Sequence, residues 1–149
     1  TFKYVSMEVS HACHCTYRIR YHMVFVLKYR KPLITTEVFE FLKTICKDIE
    51  ERYYLRFDAL GSDGNHLHLV VEAAPRYSPS RITQICKSIT AIQVFKKFPQ
   101  IKKFLWGGEF WSDGGHVDTV GDGRGLDEVR NYVKRQGQDE TQLTLHEFL

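Results

Sequence analysis

Two histidines that alternate with a leucine are the residues of this sequence best suited to chemistry. His66-Leu67-His68 opens an apolar run after the turn signal Gly64-Asn65, and such a run predicts a β-strand. Side chains at positions i and i+2 of a strand project from the same face, so the two imidazoles would stand side by side while Leu67 points into a core. Neighbouring neutral imidazoles suit a metal ion. A half-exposed strand that happens to carry two histidines is the alternative that this motif leaves open.

A tyrosine and a glutamine near the C-terminal end form a second candidate pair. Residues 126–136 predict a helix, because apolar residues repeat there at helical spacing and Gly137 is a natural end. Tyr132 and Gln136 are four residues apart and therefore share one face of this helix. That face lies beside the apolar stripe, so both side chains would flank the surface on which the helix packs. A partly buried aromatic with a polar neighbour is the alternative interpretation.

Together these pieces resemble the small single-tyrosine HUH transposases of bacterial and archaeal insertion sequences, a family that includes the REP-associated tyrosine transposases. HUH denotes two histidines around a bulky apolar residue, which here are His66 and His68 around Leu67. The likeness continues in the same order along the chain. Residues 21–32 resemble the family's first strand and its basic exit, residues 110–121 resemble the strand pair before the last helix, and residues 131–136 resemble the catalytic helix.

The resemblance implies a chemistry and a residue for each role in it. His66, His68 and Gln136 would hold Mg²⁺ or Mn²⁺, and Tyr132 would attack a phosphate of single-stranded DNA to form a covalent 5′-phosphotyrosine. Metal-dependent cleavage and rejoining of this kind acts at hairpins near the ends of the mobile element. In the family the tyrosine helix of one subunit completes the metal site of the other, so the resemblance also implies a homodimer with shared active sites.

Basic residues interleaved with aromatic side chains predict where the DNA would bind, because phosphates attract cations and bases stack on flat rings. One such cluster surrounds Tyr29, and another lies on the tyrosine helix. Solvated helix faces are the alternative interpretation for some of these lysines. The residues predicted to bind DNA are Lys28, Tyr29, Arg30, Lys31, Lys87, Lys134 and Arg135.

Three features depart from the family's usual pattern. The second long helix usually carries Lys-Gly, whereas this chain has Lys87-Ser88. The family usually has Pro-Asp before the first histidine, whereas this chain has Gly64-Asn65. An aspartate there could orient a ligand histidine, and Asn65 keeps the capacity for a hydrogen bond but brings no charge. The loop over residues 121–125 contains three glycines. It would either tether the tyrosine helix for exchange between subunits or form an ordinary surface turn.

The composition is that of one globular domain over residues 1–149. With 43% hydrophobic and 26% charged residues the chain can bury a core. A net charge of +3 argues only weakly for nucleic acid. No run is long and apolar enough to span a membrane, and no signal-peptide pattern stands at the start. These features, together with cysteines expected to stay reduced, predict a cytoplasmic protein.

A cluster of histidines and cysteines near the start is a weaker metal candidate. His11, Cys13, His14 and Cys15 lie within five residues, but their spacing is too tight for an ordinary zinc site and no second ligand pair follows. The remaining cysteines, Cys46 and Cys86, fall on apolar helical stripes and are predicted to be core thiols.

The order of predicted elements is β-α-β-β-α-β, which indicates a ferredoxin-like α+β fold: an antiparallel sheet with two helices on one face, plus the C-terminal helix. In the second long helix, Ile82, Ile85, Ile89 and Ile92 are predicted to point inward. The predicted strands are 17–28, 55–61, 66–73, 108–112 and 115–120, and a turn at Asp113-Gly114-Gly115 joins the last two. The predicted helices are 34–53, 79–98 and 126–136. A loose lead over residues 1–15 and a tail over residues 138–149 flank these elements.

Three other classes of protein remain open at this point. Nickases of the relaxase or replication-initiator type share the chemistry, but they are usually larger and often bring a third histidine, which is not found at a matching position. A non-catalytic module that binds RNA or single-stranded DNA would need aromatics on the open sheet face, where this strand carries histidines. A zinc hydrolase would need further ligands near the pair, and none is spaced convincingly.

Overall fold

The computed structural model describes residues 9–12, 14–121 and 124–136; the side chains of residues 124–127, 129 and 136 lie outside the described set. The predicted tail over residues 138–149 and most of the predicted lead also fall outside it. The strands are β1 (Ser10–Ala12), β2 (Cys15–Tyr17), β3 (Arg20–Leu27), β4 (Leu55–Ser62), β5 (His66–Ala73) and β6 (Trp111–Thr119). The helices are α1 (Thr36–Arg52), α2 (Pro79–Lys97) and α3 (Arg124–Gln136).

The central sheet has the strand order β4-β5-β3-β6, and every neighbouring pair in it is antiparallel. This order and the two helices that pack on one face confirm the predicted ferredoxin-like α+β fold. The third helix lies on the other face, where it contacts β4 and β5. A separate hairpin pairs β1 with β2 near the start of the described chain.

The two long helices begin where their sequences supply a cap. Thr35 Oγ1 accepts a hydrogen bond from the Val38 amide at 3.3 Å, and Ser78 Oγ accepts one from the Arg81 amide at 3.1 Å. Each cap satisfies an amide that has no partner within the helix. Both helices then bury an apolar stripe against the sheet, with Leu42, Ile49 and Ile82 fully enclosed among others. Within the described residues, no helix has the length and apolar character needed to cross a lipid bilayer.

The predicted turn at Asp113-Gly114-Gly115 is wrong, because one continuous strand, β6, runs through it. Its pairing with β3 changes register there: Phe25 lies opposite Gly115, whereas Leu27 lies opposite Trp111. The extra residues form a bulge, a feature that glycine in a strand often marks. At Gly115 an added Cβ would lie 2.7 Å from the Val24 carbonyl oxygen, so the close approach of two backbones excludes a side chain.

Other sequence predictions differ in detail. The predicted strand over residues 17–28 is divided, because β2 ends at Tyr17 and β3 begins at Arg20. The β1–β2 hairpin also gives structure to the end of the segment that was expected to be a loose lead. On α2, Ile92 is 64% exposed instead of pointing inward, because the helix presents Thr90 and Val94 to the core at that level. The tyrosine helix begins two residues earlier than predicted, at Arg124.

Candidate active site

The two predicted ligand histidines lie side by side on β5, on the face turned away from α1 and α2. His66 and His68 have 4% and 0% of their surface exposed. Their ring centroids are 6.4 Å apart, with 29° between the ring planes. Leu67, between them, is buried in the main core. Strand alternation therefore gives the arrangement that the sequence predicts, with both imidazoles on one face and the leucine on the other.

The turn before β5 determines how His66 presents its ring. Gly64 adopts φ 98°, a left-handed conformation that glycine accepts readily, and its amide donates to Ser62 Oγ at 3.1 Å. His66 Nδ1 contacts the side-chain oxygen of Asn65 and lies 3.4 Å from Asp63 Oδ1. Because both acceptors face Nδ1, we assign the ring proton to that nitrogen, which leaves the lone pair on Nε2. Nε2 is buried and has no hydrogen-bond partner among the described residues.

A third histidine, which the sequence analysis did not single out, stacks on His68. The ring centroids of His22 and His68 are 5.9 Å apart and their planes differ by 9°. His22 lies on β3 opposite Val70, and Val24 lies opposite His68, so the two histidines are diagonal neighbours. Only the register of β3 with β5 places His22 beside His68, and the residues around His22 do not reveal that register.

Burial keeps two of these rings neutral. It lowers the pKa of both His22 and His68 to about 4. For His68, the nearby Asp63 carboxylate acts in the opposite direction, whereas His22 and His66 reinforce the lowering. A pKa this low leaves both imidazoles uncharged near pH 7, which is the state in which a histidine can bind a metal ion.

The tyrosine helix packs against the histidine face of the same chain. The Tyr132 ring lies 6.1 Å from the His68 ring, edge-on at 75°. The next residue, Val133, is fully buried against Ala59 and Val70. The structure therefore brings Tyr132 to the histidine pair within one chain. The side chain of Gln136, the third predicted ligand, lies outside the described residues.

A network of buried charges anchors this helix to the sheet, and the sequence analysis missed it. Asp58 on β4 accepts from Arg20 Nε at 2.9 Å and lies 3.3 Å from Arg130 Nη2 on α3. Glu72 on β5 pairs with Arg20 at 3.4 Å and with Arg56. Arg20, Asp58 and Glu72 are each at least nine-tenths buried. Buried charges of this kind persist only when they are paired, so the network specifies where α3 can sit.

The residues predicted to bind DNA occupy three separate places. A turn after β3 holds exposed Tyr29 and Arg30, both in the left-handed conformation, with φ values of 60° and 51°. Lys28 in the same turn pairs with Glu109 at 2.8 Å, and Lys31 is half-buried. Non-glycine residues in this conformation cost free energy and persist where the surrounding structure imposes it. The other three predicted residues are Lys87 on α2 and Lys134 and Arg135 on α3.

Lys87 supports the bulge of β6. Its ammonium donates to the carbonyl oxygens of Ser112 at 2.8 Å and Gly114 at 3.2 Å. It also lies 5.4 Å from the centre of the Phe25 ring. Partial burial lowers the pKa of this lysine. These contacts tie α2 to the edge strand at the point where the regular strand pairing is interrupted.

The donor set around His66 and His68 fits a metal ion that also takes oxygen ligands. Both imidazoles are buried on one face, and the Nε2 atom of His66 is available to a ligand. Across the described side chains, no group of three or more His, Cys, Asp or Glu is arranged to hold a metal ion. A complete metal site would need a further donor, and the amide of Gln136 is the one that the sequence predicts.

Comparisons with known proteins match most of the chain to transposases. The family model described as "Transposase IS200 like" matches residues 15–136. The ISDra2 transposase TnpA of Deinococcus radiodurans is 26% identical over 140 residues, which cover 94% of this chain and 99% of that protein. The transposase of insertion sequence IS200 from Salmonella typhimurium is 26% identical over 127 residues, which cover 85% of this chain and 82% of that protein.

Solved structures give the same result. A Deinococcus radiodurans protein assigned as a transposase superposes with a TM-score of 0.68 at 28% identity, and the match covers 85% of this chain and 97% of that one. A REP-associated tyrosine transposase solved with a REP hairpin shares the fold, with a TM-score of 0.55 at 13% identity over 77% of this chain and 64% of that one.

Fold and site together define a small ferredoxin-like protein that sets a histidine pair beside a tyrosine helix, as the predicted resemblance implies. The match over residues 15–136 makes the identification specific: the chain belongs to the IS200-like transposase family. Its function is therefore that of a DNA transposase of insertion sequences.

Proposed function

We propose that this protein cuts and rejoins single-stranded DNA through a covalent 5′-phosphotyrosine on Tyr132, at hairpins near the ends of an insertion sequence. The observation that carries the proposal is the position of the Tyr132 ring, 6.1 Å from His68. A phenol beside two buried imidazoles joins a nucleophile to candidate metal ligands. The transposase of the same fold that was solved with a REP hairpin supports a hairpin as the substrate.

In the proposed reaction the Tyr132 phenol gives up its proton and its oxygen attacks phosphorus. The new tyrosine–phosphorus bond replaces the bond to the 3′ oxygen, which takes up a proton and leaves as a hydroxyl. Because the phosphotyrosine retains the energy of the broken bond, a 3′-hydroxyl can reverse the step and rejoin the strand without ATP. A free phenol has a pKa of about 10, so the site has to stabilise the phenolate.

The residues that would hold a metal ion are His66, His68 and Gln136, with Mg²⁺ or Mn²⁺ as the ion. Such an ion, when bound, polarises the scissile phosphate and stabilises charge that develops on it. Asn65 contributes by accepting a hydrogen bond from His66 Nδ1, which keeps the opposite ring nitrogen turned to the site. Cations in the turn after β3 and on α3 would neutralise neighbouring phosphates.

The test is a denaturing gel after incubation with Mg²⁺ and a pool of single-stranded oligonucleotides that carry a hairpin with randomised flanks. The native chain should form a protein–DNA adduct, whereas His66→Ala and added EDTA should each abolish it. Binding of the pool should survive His66→Ala, because cations and stacking away from the histidines supply it. His11→Ala, at an exposed histidine on β1, is the matched control. Undiminished adduct in the presence of EDTA would contradict the metal-dependent mechanism.

We also propose a homodimer, and the edge of the central sheet supports it. β6 is the last strand of the sheet, and its residues from Asp113 to Thr119 are exposed. Val117 on this edge is 41% exposed. An exposed edge strand of this length is a template for pairing with another chain. Two copies joined along β6 would form one continuous antiparallel sheet.

Mixing experiments test whether two subunits share an active site. Tyr132→Phe lacks the attacking atom, and His66→Ala lacks a ligand, so neither variant alone should form adduct. If the tyrosine helix of one subunit can reach the histidines of its partner, a mixture should regain one working site per heterodimer. The matched control mixes Tyr132→Phe with Tyr132→Phe/His66→Ala, which contains no attacking tyrosine. No recovery after confirmed subunit exchange would show that each site is built within one chain.

A further inference from the structure

A groove of about 410 Å³ runs beside His66 on the histidine face of the sheet. Val24 and Val26 from β3 and the glycines of the β6 bulge line it, together with Tyr29 and Arg30. Its size falls within the usual range for small-ligand sites, which suits one nucleotide unit and is too small for a duplex. Since His66 lies opposite Val26 in the strand register, the groove is continuous with the candidate active site.

The lining of this groove matches the chemistry of a nucleotide. Valine side chains and bare glycine backbone leave flat, apolar surface, which suits the face of a base. Tyr29 is 54% exposed and can stack on a base, and the Arg30 guanidinium can meet a phosphate. Apolar walls with a few placed polar groups are typical of ligand sites.

Two backbone features shape the walls of the groove. Gly115 cannot carry a side chain, because an added Cβ would lie 2.7 Å from the Val24 carbonyl oxygen. Tyr29 and Arg30 hold left-handed conformations that non-glycine residues seldom adopt. The Tyr29 hydroxyl donates to the carbonyl oxygen of Trp106 at 3.3 Å, which ties this turn to a second loop. Strain of this kind is characteristic of ligand-binding sites.

We infer that this groove binds one unpaired nucleotide of the DNA strand, next to the phosphate that would be cut beside His66. The base lies on the valine and glycine surface against Tyr29, and Arg30 contacts the phosphate of that nucleotide. The inference rests on the proposed function, because it places the occupant in the strand that Tyr132 attacks. It adds a subsite for the nucleotide at one position beside the cleavage point.

Gly114 provides the sharpest test. Gly114 lines the groove, and an added Cβ there would meet only Ser112 Oγ, at 3.9 Å, so we expect Gly114→Val to add bulk to the groove while the backbone keeps its course. Gly121→Val, at an exposed glycine whose added Cβ would meet nothing within 4 Å, is the matched control. Thermal melts should show that both variants fold.

Affinity is measured by fluorescence anisotropy with labelled hexathymidylate and hexaadenylate in EDTA, so that cleavage plays no part. Gly114→Val should weaken binding about five- to hundredfold, the loss expected when one stacked base is excluded. Gly121→Val should bind like the native chain. Tyr29→Asn should weaken binding similarly, whereas Tyr54→Asn, at a comparably exposed tyrosine outside the groove, should not. Equal affinities of native and Gly114→Val proteins would overturn the inference.

A competition experiment and a crosslinking experiment distinguish a strand-binding groove from a site for free nucleotides and from binding elsewhere on the protein. Free thymidine and adenosine monophosphates should compete only at concentrations at least a hundredfold above the hexamer, and equal competition would show a free-nucleotide site instead of a strand site. Irradiated hexamers carrying 5-iododeoxyuridine should crosslink to the peptide that contains Tyr29. Crosslinking outside the groove would also overturn the inference. If the hexamers bind in the groove but hairpin-bearing DNA forms no adduct with Tyr132, the proposed function fails and the inference about the groove stands.

Discussion

The two faces of β5 are buried to the same degree and are built in opposite ways. All eight residues of the strand are buried. Toward α1 and α2 the strand presents only apolar side chains, among them Leu67 and Leu69. Toward α3 it presents His66, His68 and Glu72. Burial alone therefore does not distinguish a core from a site, whereas the chemistry of what is buried does.

The free-energy consequences of the two faces also differ. The apolar face stabilises the fold, because each buried aliphatic side chain contributes about 1.5–3 kcal/mol relative to its exposed state. The polar face works against stability unless its groups are paired. Asp58 and Glu72 are paired with arginines, and burial holds His68 in its neutral form. Groups whose ionisation is perturbed by burial cluster at functional sites, which is why the polar face is the candidate active site.

The largest effects are expected from substituting two adjacent residues of β5 whose side chains lie on opposite faces of the strand. His68→Ala should abolish adduct formation while the chain still folds, because the substitution removes an imidazole and puts no other metal-binding group in its place. Leu69→Ala should lower the free energy of unfolding by about 2–5 kcal/mol through an apolar cavity, while the folded fraction keeps its activity. Urea unfolding and the adduct gel on both variants measure the two effects. Equal losses of activity and stability in both variants would break the distinction between the faces.

A second effect, on stability alone and without the complete loss of adduct expected at His68, comes from the charge network under α3. Asp58→Ala should destabilise the protein by about 3–5 kcal/mol, because it leaves Arg20 and Arg130 without their shared carboxylate. Asp48→Ala, at an exposed carboxylate of α1, should change stability by less than about 0.5 kcal/mol. Urea unfolding at neutral pH measures both. A loss at Asp58 no larger than that at Asp48 would show that the network does not anchor the helix.

The smallest effect is a pH dependence that belongs to the histidine face. The pKa of both His22 and His68 is about 4 in the folded protein, against about 6.5 for a histidine in the unfolded chain. The unfolded state therefore binds more protons below pH 6.5, and stability should fall as the pH drops from about 6.5 to 4. His22→Phe should reduce this slope, whereas His14→Phe, at an exposed histidine, should not. A slope unaffected by His22→Phe would contradict neutral burial of that ring.

The sequence predicted the apolar face well, because strand and helix periodicity depend on local spacing. The alternation around His66 and His68 and the position of Tyr132 on its helix follow from the same rule. Glycine in β6 misled the prediction, because a bulge and a turn use the same residue. Ile92 shows the other limit, since an isoleucine at roughly helical spacing can still lie outside the buried stripe.

The polar face was only half predictable, because its contacts join residues that are distant in the chain. His22 and His68 are brought together by the register of β3 with β5. The Arg20–Asp58 pair spans 38 residues, and neither partner stands out in its own segment. Such pairings follow from strand register, which periodicity within a single strand does not determine.

Peptide mapping of a trapped protein–DNA adduct tests the central claim most directly. The claim is that the polar face carries the chemistry and that Tyr132 is its nucleophile. After incubation with Mg²⁺ and hairpin-bearing single-stranded DNA, digestion should place the nucleotide on the peptide that contains Tyr132. Tyr132→Phe should fold and bind DNA yet form no adduct, whereas Tyr21→Phe should behave like the native chain. An adduct on any other tyrosine, or full adduct formation by Tyr132→Phe, would contradict the account.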